Sequence, residues 1–410
     1  MTNDKSIDIF CQVIDNYGDA GVTYRLARIL STSGYTVTLF IDNFGILKKL
    51  NPDIDDRCRC NNEMPPYPLK PEQFIANNLK IRFWMSDDAA ADKNDFYREF
   101  RYKPASAVIE AFQCRLPEVI IRTFTAATIW INLDYLSAEA WIESCHELPS
   151  LQNNNVNKFF FFPGFTNKTG GLNFEEIIYT KSKEESISSV AKILHSNKDL
   201  NKFFKVLIFT YENESLIHLI RAIINIKGKT MLFLPEGRST EFLKNNSNFI
   251  KLLAENTNIT AVSFKMLPQE QFNDVLKAMD LNVIRGEDSF AQANMTGVPF
   301  IWHIYRQDEG AHLIKLKAFT DLYTADCLPP LKETIEKAFT SLNDSEIKHE
   351  NEDSEQAKEA LSNFRNFMIK YPEICALSAK WAEKLFNMGN LSTHLDSFIQ
   401  KAQNNLKVNK

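Results

Sequence analysis

Short apolar runs alternate with amphipathic stretches along most of the chain. The runs at residues 6–13, 37–42 and 80–84 are rich in β-branched and aromatic side chains, which favours buried strands. Tyr24, Leu26, Ala27 and Leu30 then recur at helical spacing after the first run. Strands that alternate with helices of this length are typical of parallel βαβ units. The pattern therefore predicts an α/β fold.

The same pattern starts again in the second half. The first series continues with apolar runs at residues 106–112, 117–122, 129–133 and 158–165. The new series has strands at residues 205–210, 230–234 and 259–263. Between them, residues 167–186 contain Gly170-Gly171 and a polar run, which indicates a linker. We predict two doubly wound, Rossmann-like domains, residues 1–183 and 184–387, with a C-terminal helix at about 388–410 that returns to the first domain.

Residues 279–305 form the most informative stretch of the second series. An apolar run ends at Arg285-Gly286, where the glycine permits a sharp turn, and Asp288 or Ser289 is expected to cap a helix that ends at Gly297. The free N–H groups and positive dipole end of such a helix suit a phosphate or diphosphate. The alternative is that residues 287–289 are only favourable first-turn residues.

The loop at residues 14–22 of the first series carries two carboxylates, Asp15 and Asp19, among Asn and Gly residues. It does not match the G-x-G-x-x-G pattern, which disfavours a dinucleotide enzyme. A structural alternative is that both acids serve as turn or capping residues. Two such domains suit a nucleotide-sugar transferase with the donor diphosphate on the second domain and the acceptor and base on the first, across an interdomain cleft.

Composition narrows the class of protein. The 410 residues are 44% hydrophobic and 24% charged, with a formal net charge of −5, so we expect no nucleic-acid or anionic membrane partner. No signal-like N-terminus and no apolar run of spanning length occur, which favours a cytoplasmic location. The seven cysteines are odd in number and scattered, as expected of reduced thiols, and Cys58-Arg59-Cys60 alone is a poor metal motif.

A set of short motifs, taken together and in order, resembles one known family over roughly residues 6–400. That family is the elongation factor P arginine rhamnosyltransferases, which are GT-B enzymes. The motifs are Asp8-Ile9-Phe10-Cys11, Asp15-Asn16-Tyr17-Gly18-Asp19, Val108-Ile109-Glu110-Ala111-Phe112, Phe160-Phe161-Phe162-Pro163-Gly164-Phe165, Phe209-Thr210-Tyr211-Glu212-Asn213, Leu267-Pro268-Gln269, Arg285-Gly286-Glu287-Asp288-Ser289-Phe290 and Trp302-His303-Ile304-Tyr305.

The resemblance implies an inverting, metal-independent transfer of rhamnose from dTDP-β-L-rhamnose to an arginine of elongation factor P, which activates that factor for rescue of stalled ribosomes. It implies no cofactor. By position, Asp19 matches the catalytic base, Asp15 its supporting carboxylate and Glu287 a further acid. The implied donor contacts are Asn16, Tyr17, Gly18, Tyr211, Gln269, Arg285, Gly286, Asp288, Ser289 and Tyr305.

The chain departs from the family pattern at three positions. Met266 stands where the family has a phenylalanine that stacks on thymine, with Phe264 two residues earlier. Gln292 replaces an arginine, and Arg306 replaces a proline. Two other functions stay open: a GT-B transferase with another nucleotide sugar or acceptor, and a non-catalytic binder of elongation factor P.

Overall fold

The computed structural model describes residues 5–14, 17–55, 72–76, 78–85, 102–152, 156–195, 197–343 and 354–408. The chain divides into two compact units. Unit 1 contains Met1–Glu175 and Met388–Lys410, and unit 2 contains Glu176–Asn387. The pair Cys58 and Cys60 lies outside the described residues.

Unit 1 is built on an eight-stranded sheet of order β3-β4-β2-β1-β5-β6-β8-β7. All neighbours are parallel except the two edge pairs, β3 with β4 and β7 with β8. The strands are β1 Ser6–Cys11, β2 Thr36–Ile41, β3 Glu72–Ala76, β4 Leu79–Phe83, β5 Ala107–Ala111, β6 Ile129–Leu133, β7 Pro149–Ser150 and β8 Asn157–Phe161. The helices, numbered along the chain, are α1 Tyr17–Thr32, α2 Phe44–Leu50, α3 Glu118–Ile121, α4 Ile142–Cys145 and the last helix, α16 Leu391–Val408.

One core cluster of unit 1 joins this sheet to three of its helices, α1, α2 and α16. Leu26 and Leu30 of α1 are fully buried beside β1, whose central residues are buried on both faces, as a parallel strand requires. From α16, Leu395 and Phe398 join the same core, and the Phe398 ring lies 5.6 Å from that of Phe161. The C-terminal helix is therefore part of the core of unit 1.

Unit 2 is built on a five-stranded parallel sheet of order β11-β10-β9-β12-β13. Its strands are β9 Phe204–Phe209, β10 Thr230–Pro235, β11 Ile259–Phe264, β12 Leu281–Arg285 and β13 Phe300–His303. Its helices are α5 Ile177–Thr180, α6 Lys183–Ile193, α7 Ser215–Lys227, α8 Arg238–Asn245, α9 Ser247–Glu255, α10 Gln269–Ala278, α11 Glu287–Met295, α12 Ala311–Tyr323, α13 Pro329–Asn343, α14 Glu355–Ile369 and α15 Tyr371–Met388, with 3-10 turns at Leu200–Lys202 and Asp308–Gly310.

An aromatic cluster fixes the helix that follows β12 against the last strand. The Phe290 ring of α11 stacks on Trp302 of β13 with centroids 3.8 Å apart, and it meets Phe319 of α12 edge-on at 4.7 Å. Rings in such geometry add to the hydrophobic gain from burial. The start of α11 is thereby held at the carboxyl edge of the sheet.

The α/β fold with parallel sheets is confirmed, and two helix starts differ from the prediction. Helix α1 already begins at Tyr17, so Asp19 lies in its first turn rather than in a loop. Helix α11 begins at Glu287 with Gly286 as its N-cap, and neither Asp288 nor Ser289 caps it. The reason is that Gly286, at φ 68 and ψ 176, makes the turn one step earlier than a side-chain cap would.

The change from unit 1 to unit 2 comes at Glu175/Glu176, eight residues before the predicted boundary after residue 183. Lys181 forms an ion pair with Asp274 of α10, and Lys277 donates to the Tyr179 carbonyl. These contacts attach the segment before α6 to unit 2. Within the described part of the chain, no helix combines the length and apolar character needed to cross a membrane.

Candidate active site

The first group of predicted site residues lies at the carboxyl end of β1. Asp19 is 2% exposed in the first turn of α1, and its Oδ2 accepts a hydrogen bond of 2.8 Å from the Ile14 amide. Tyr17 and Gly18 are half-buried in the same turn. The positive end of the helix dipole favours the ionised form of an acid at this position. Asp15 and Asn16 lie outside the described residues.

A second carboxylate, Asp42, lies beside this turn and was not predicted. It follows β2 directly, and its Oδ1 accepts a hydrogen bond of 3.0 Å from the Val13 amide. Burial raises its pKa to about 6, and the charge of Asp19 adds to this effect. The signal in the sequence was an acid that immediately follows a buried strand, a position where parallel sheets place ligand-binding groups.

In unit 2 the side chain of Arg285, at the end of β12, contacts two aromatic rings. Its guanidinium carbon is 5.0 Å from the Phe209 ring centroid and 4.7 Å from that of Tyr211. Its Nε is buried and has no hydrogen-bond partner among the described residues. Cation–π contacts hold the planar group without using its N–H donors, so those donors remain available to an anionic ligand. Phe209 was not among the predicted site residues, although it belongs to one of the motifs that resemble the family.

The start of α11 lies directly after Arg285. Glu287, Asp288 and Ser289 are half-buried in its first turn. Gln269, the first residue of α10, is 4% exposed and donates from Nε2 to Asp288 Oδ2 at 3.3 Å. This contact joins two helix starts at one edge of the sheet. The first-turn amides of a helix are donors with no intrahelical partner, which suits a phosphate group.

Two predicted tyrosines, Tyr211 after β9 and Tyr305 after β13, are in contact with each other. The Tyr211 ring meets Tyr305 edge-on at 5.6 Å and His303 at 5.3 Å, and Tyr305 is 54% exposed. These side chains line a cavity of about 460 Å³ that Arg238 also borders. Burial, aided by the charge of Arg285, lowers the pKa of His303 to about 4, so this imidazole is neutral near pH 7.

The residues that depart from the family pattern differ in how much of their surface is exposed. Phe264 is buried at 9% exposure at the end of β11, whereas Met266 is half-buried in the loop before α10. Gln292 is buried in α11 at 1% exposure, and Arg306 is exposed after β13. Of these four, Met266 and Arg306 have side-chain surface that a ligand can reach.

The structure thus groups the predicted residues by unit. Asp19, Tyr17 and Gly18 share one helix start in unit 1. The other described site residues lie in unit 2, where the carboxyl ends of β9, β12 and β13 and the start of α10 bring them together. They are Tyr211, Gln269, Arg285, Gly286, Glu287, Asp288, Ser289 and Tyr305. In the described ranges no group of three or more His, Cys, Asp or Glu side chains could hold a metal ion.

The chain is similar to one protein family along most of its length. The model of the family described as Elongation-Factor P (EF-P) rhamnosyltransferase EarP matches residues 7–400. A protein-arginine rhamnosyltransferase from Shewanella oneidensis is 32% identical over 435 residues, covering 98% of this chain and 99% of that protein.

Two solved structures share the fold. One comes from work on EarP-mediated arginine glycosylation of translation elongation factor EF-P, with a TM-score of 0.57, 20% identity and coverage of 97% of this chain and 99% of that chain. The other is a UGT transferase from Siraitia grosvenorii in complex with UDP, with a TM-score of 0.51, 10% identity and the same coverage. The match along nearly the whole length means that the chain belongs to the Elongation-Factor P (EF-P) rhamnosyltransferase EarP family of GT-B glycosyltransferases.

Proposed function

We propose that this protein transfers rhamnose from dTDP-β-L-rhamnose to an arginine side chain of elongation factor P, with inversion at the sugar carbon. Membership of the EarP family over residues 7–400 is the observation that carries the proposal. Two observations support it: a buried carboxylate, Asp19, that can act as a base, and the Arg285 guanidinium beside the start of α11, which suits a diphosphate.

The acceptor side of the proposal rests on Asp19. Arginine is effectively always protonated and has no lone pair free to attack a sugar carbon. A buried carboxylate can bind the guanidinium and accept a proton as a nitrogen attacks. Asp19 is nearly inaccessible to bulk water, and the Ile14 amide fixes its orientation. Asp15 is proposed as the supporting acid, as the resemblance implies.

The donor side of the proposal rests on the start of α11 and its neighbours. The guanidinium of Arg285, the first-turn amides and the Ser289 hydroxyl would bind the diphosphate, with Tyr305 and Tyr211 beside it. Glu287 and Asp288 repel phosphate, so we assign them to hydroxyl groups of the sugar or the nucleoside. Gln269, held against Asp288, belongs to the same contact set.

The reaction balances without a further reactant. A guanidinium nitrogen forms a bond to the anomeric carbon from the face opposite dTDP, the bond to the dTDP oxygen breaks, and one proton passes to Asp19. The diphosphate leaves with the electron pair. Positioned donors can stabilise its charge, so we propose that no metal ion is required, and we expect an excess of EDTA to leave the initial rate unchanged.

The decisive experiment is intact-mass spectrometry of elongation factor P after incubation with the protein and dTDP-β-L-rhamnose. The proposal predicts a mass increase of one deoxyhexose located on an arginine. UDP-glucose and UDP-GlcNAc serve as donor controls, and an acceptor whose target arginine is replaced by lysine is the acceptor control. Transfer only from another donor would support a different GT-B specificity. Binding of elongation factor P without any transfer would support a non-catalytic role.

A further inference from the structure

Asp42 lies beside the first turn of α1, which contains Asp19. Strands β1 and β2 are parallel neighbours in which Cys11 pairs with Ile41, so Asp42 leaves the sheet beside the first residue after β1. It is half-buried there, next to the turn that carries Asp19. Neither the family resemblance nor the sequence pattern assigns a role to this residue.

The two carboxylates hold consecutive backbone amides. Asp42 Oδ1 accepts from the Val13 amide at 3.0 Å, and Asp19 Oδ2 accepts from the Ile14 amide at 2.8 Å. One acid comes from the end of β2 and the other from α1, so the segment immediately before Asp15 is fixed from two separate elements. Hydrogen bonds to charged acceptors are the stronger kind, which favours a single conformation of this segment.

The charge of Asp42 is not neutralised within the described residues. The groups that act on it are the Val13 amide and its own amide, both donors, and the carboxylate of Asp19, a like charge. The neighbouring thiol of Cys11 is fully buried, and burial raises its pKa, so it is uncharged. Asp42 therefore adds a second negative charge beside Asp19, and a guanidinium bound there is attracted by both carboxylates.

We propose that Asp42 is a positioning residue of the acceptor site, which fixes the segment before Asp15 and adds negative charge beside Asp19 for the incoming guanidinium. The inference rests on the proposed function for its substrate. Two properties can be measured without turnover: the hydrogen bond from the Val13 amide to Asp42, and the effect of the Asp19 charge on the pKa of Asp42.

The first test is independent of the acceptor. Carboxyl-carbon NMR titration of the free protein should place the midpoint of Asp42 near pH 6, and Asp19→Asn should shift this midpoint to lower pH because a like charge is removed. Hydrogen exchange of the peptide that contains Val13 should accelerate in Asp42→Ala but not in Asp42→Asn, whose amide oxygen still accepts the bond. An unmoved midpoint together with unchanged exchange in Asp42→Ala would overturn the inference, whatever the protein's substrate.

The second test measures kcat/KM for elongation factor P. Asp42→Ala should lower it on the order of 10²-fold, as expected when a reacting group is misplaced, with dTDP affinity unchanged. We expect kcat/KM of the wild type to fall as the pH drops through about 6. Asp42→Asn should lower kcat/KM less than Asp42→Ala does, and it should abolish this pH dependence. The exposed Asp53, which lies after α2 in the same unit, gives matched controls in Asp53→Ala and Asp53→Asn.

The outcomes separate the inference from the proposed function. Wild-type protein that fails to modify elongation factor P contradicts the proposed function, and the titration and exchange results then decide the role of Asp42. If the wild type is active and Asp42→Asn keeps both its rate and its pH profile, the charge has no part in acceptor binding and the inference is wrong.

Discussion

At the scale of single residues, the site is defined by what each charged group contacts. Asp19 is buried with one oxygen on a backbone amide, and Arg285 is held by the rings of Phe209 and Tyr211. By contrast, the Arg238 side chain is 62% exposed and is paired with Glu212 at 2.7 Å. A pair that is so exposed contributes little to stability. The burial of the first two groups distinguishes them from ordinary surface charges.

Replacement of Asp19 by asparagine should separate catalysis from folding. Asp19→Asn keeps the shape and an acceptor for the Ile14 amide but removes the charge that receives the proton. We expect the single-turnover rate of rhamnose transfer to fall by about 10² to 10⁴-fold, the usual range for loss of a general base. Calorimetry should give a dTDP affinity close to that of the wild type. A near-normal rate would assign only a structural role to Asp19 and leave Glu287 as the next candidate base.

The buried imidazole of His303 should make stability depend on pH. Its pKa of about 4 in the folded chain lies below the ordinary value of 6.5, so the unfolded chain binds more protons between these values. The stability that neutral His303 provides is therefore complete above pH 6.5 and is lost as the pH falls toward 4.

Urea unfolding can measure this effect against a variant that does not titrate. Relative to His303→Gln, the wild type should lose about 1 to 3 kcal/mol of unfolding free energy between pH 7 and pH 4.5. Asp8 and Asp42 also titrate in this range, but they are present in both proteins and cancel in the difference. The exposed His195 provides the control variant, His195→Gln, which should parallel the wild type. Equal pH dependence of wild type and His303→Gln would contradict the prediction.

At the scale of elements, two helix starts carry the proposed chemistry, and different local features fix them. Gly286 precedes α11 with φ 68 and ψ 176, a conformation that only glycine adopts easily. Helix α1 instead begins at Tyr17, and its first turn contains Asp19. In unit 2 the Phe290–Trp302 stack fixes the helix that follows the turn. The turn and the stack together determine where the first amides of α11 point.

Gly286→Ala should weaken donor binding through the backbone alone. A Cβ at this position meets no atom within 4 Å, so the effect comes from the positive φ. We expect dTDP affinity to fall about tenfold, equivalent to one hydrogen bond to phosphate, and unit 2 to lose about 1 to 3 kcal/mol of stability.

Gly228 is a matched control for this variant. It ends α7 at φ 69 and likewise has no atom near an added Cβ. Gly228→Ala should cost similar stability and leave dTDP affinity unchanged, as determined by thermal unfolding and calorimetry. Equal dTDP affinities of the two variants would remove the start of α11 from the donor site.

At the scale of the whole molecule, each unit has a sheet and a core of its own, and the end of the chain belongs to the first. Leu391, Leu395, Phe398 and Ile399 of α16 are all buried in the core of unit 1. The predicted donor contacts other than Asn16, Tyr17 and Gly18 lie in unit 2. Stability of unit 1 and binding of dTDP should therefore respond to different substitutions.

Phe398→Ala should destabilise unit 1 by about 3 to 5 kcal/mol, because the ring is 5% exposed and packs 5.2 Å from Phe159. Ser397→Ala, on the exposed side of the same helix, should change stability by less than about 0.5 kcal/mol. Chemical unfolding measures both, and dTDP titration at low temperature should show unchanged affinity. A Phe398→Ala variant as stable as Ser397→Ala would show that α16 contributes little to the core.

The class of fold could be predicted from the hydrophobic pattern, and the main candidate residues from motifs. Periodicity predicted strands and helices because a parallel strand is buried on both faces and a helix on one, and both leave a pattern in hydrophobicity. The turn at Gly286 could be recognised because few residues adopt its backbone angles. The motif around Asp19 was identified by resemblance to the family.

Contacts between residues distant in sequence could not be predicted, because they depend on how the strands are arranged in the sheets. Asp42 lies beside Val13 because β1 and β2 are neighbours, and Phe209 lies under Arg285 because β9 and β12 pair. Local sequence does not indicate which strands are adjacent, because the order of the strands depends on packing of the whole sheet. The exact helix starts also came from the structure, because several residues near each start can cap a helix and the backbone path selects one.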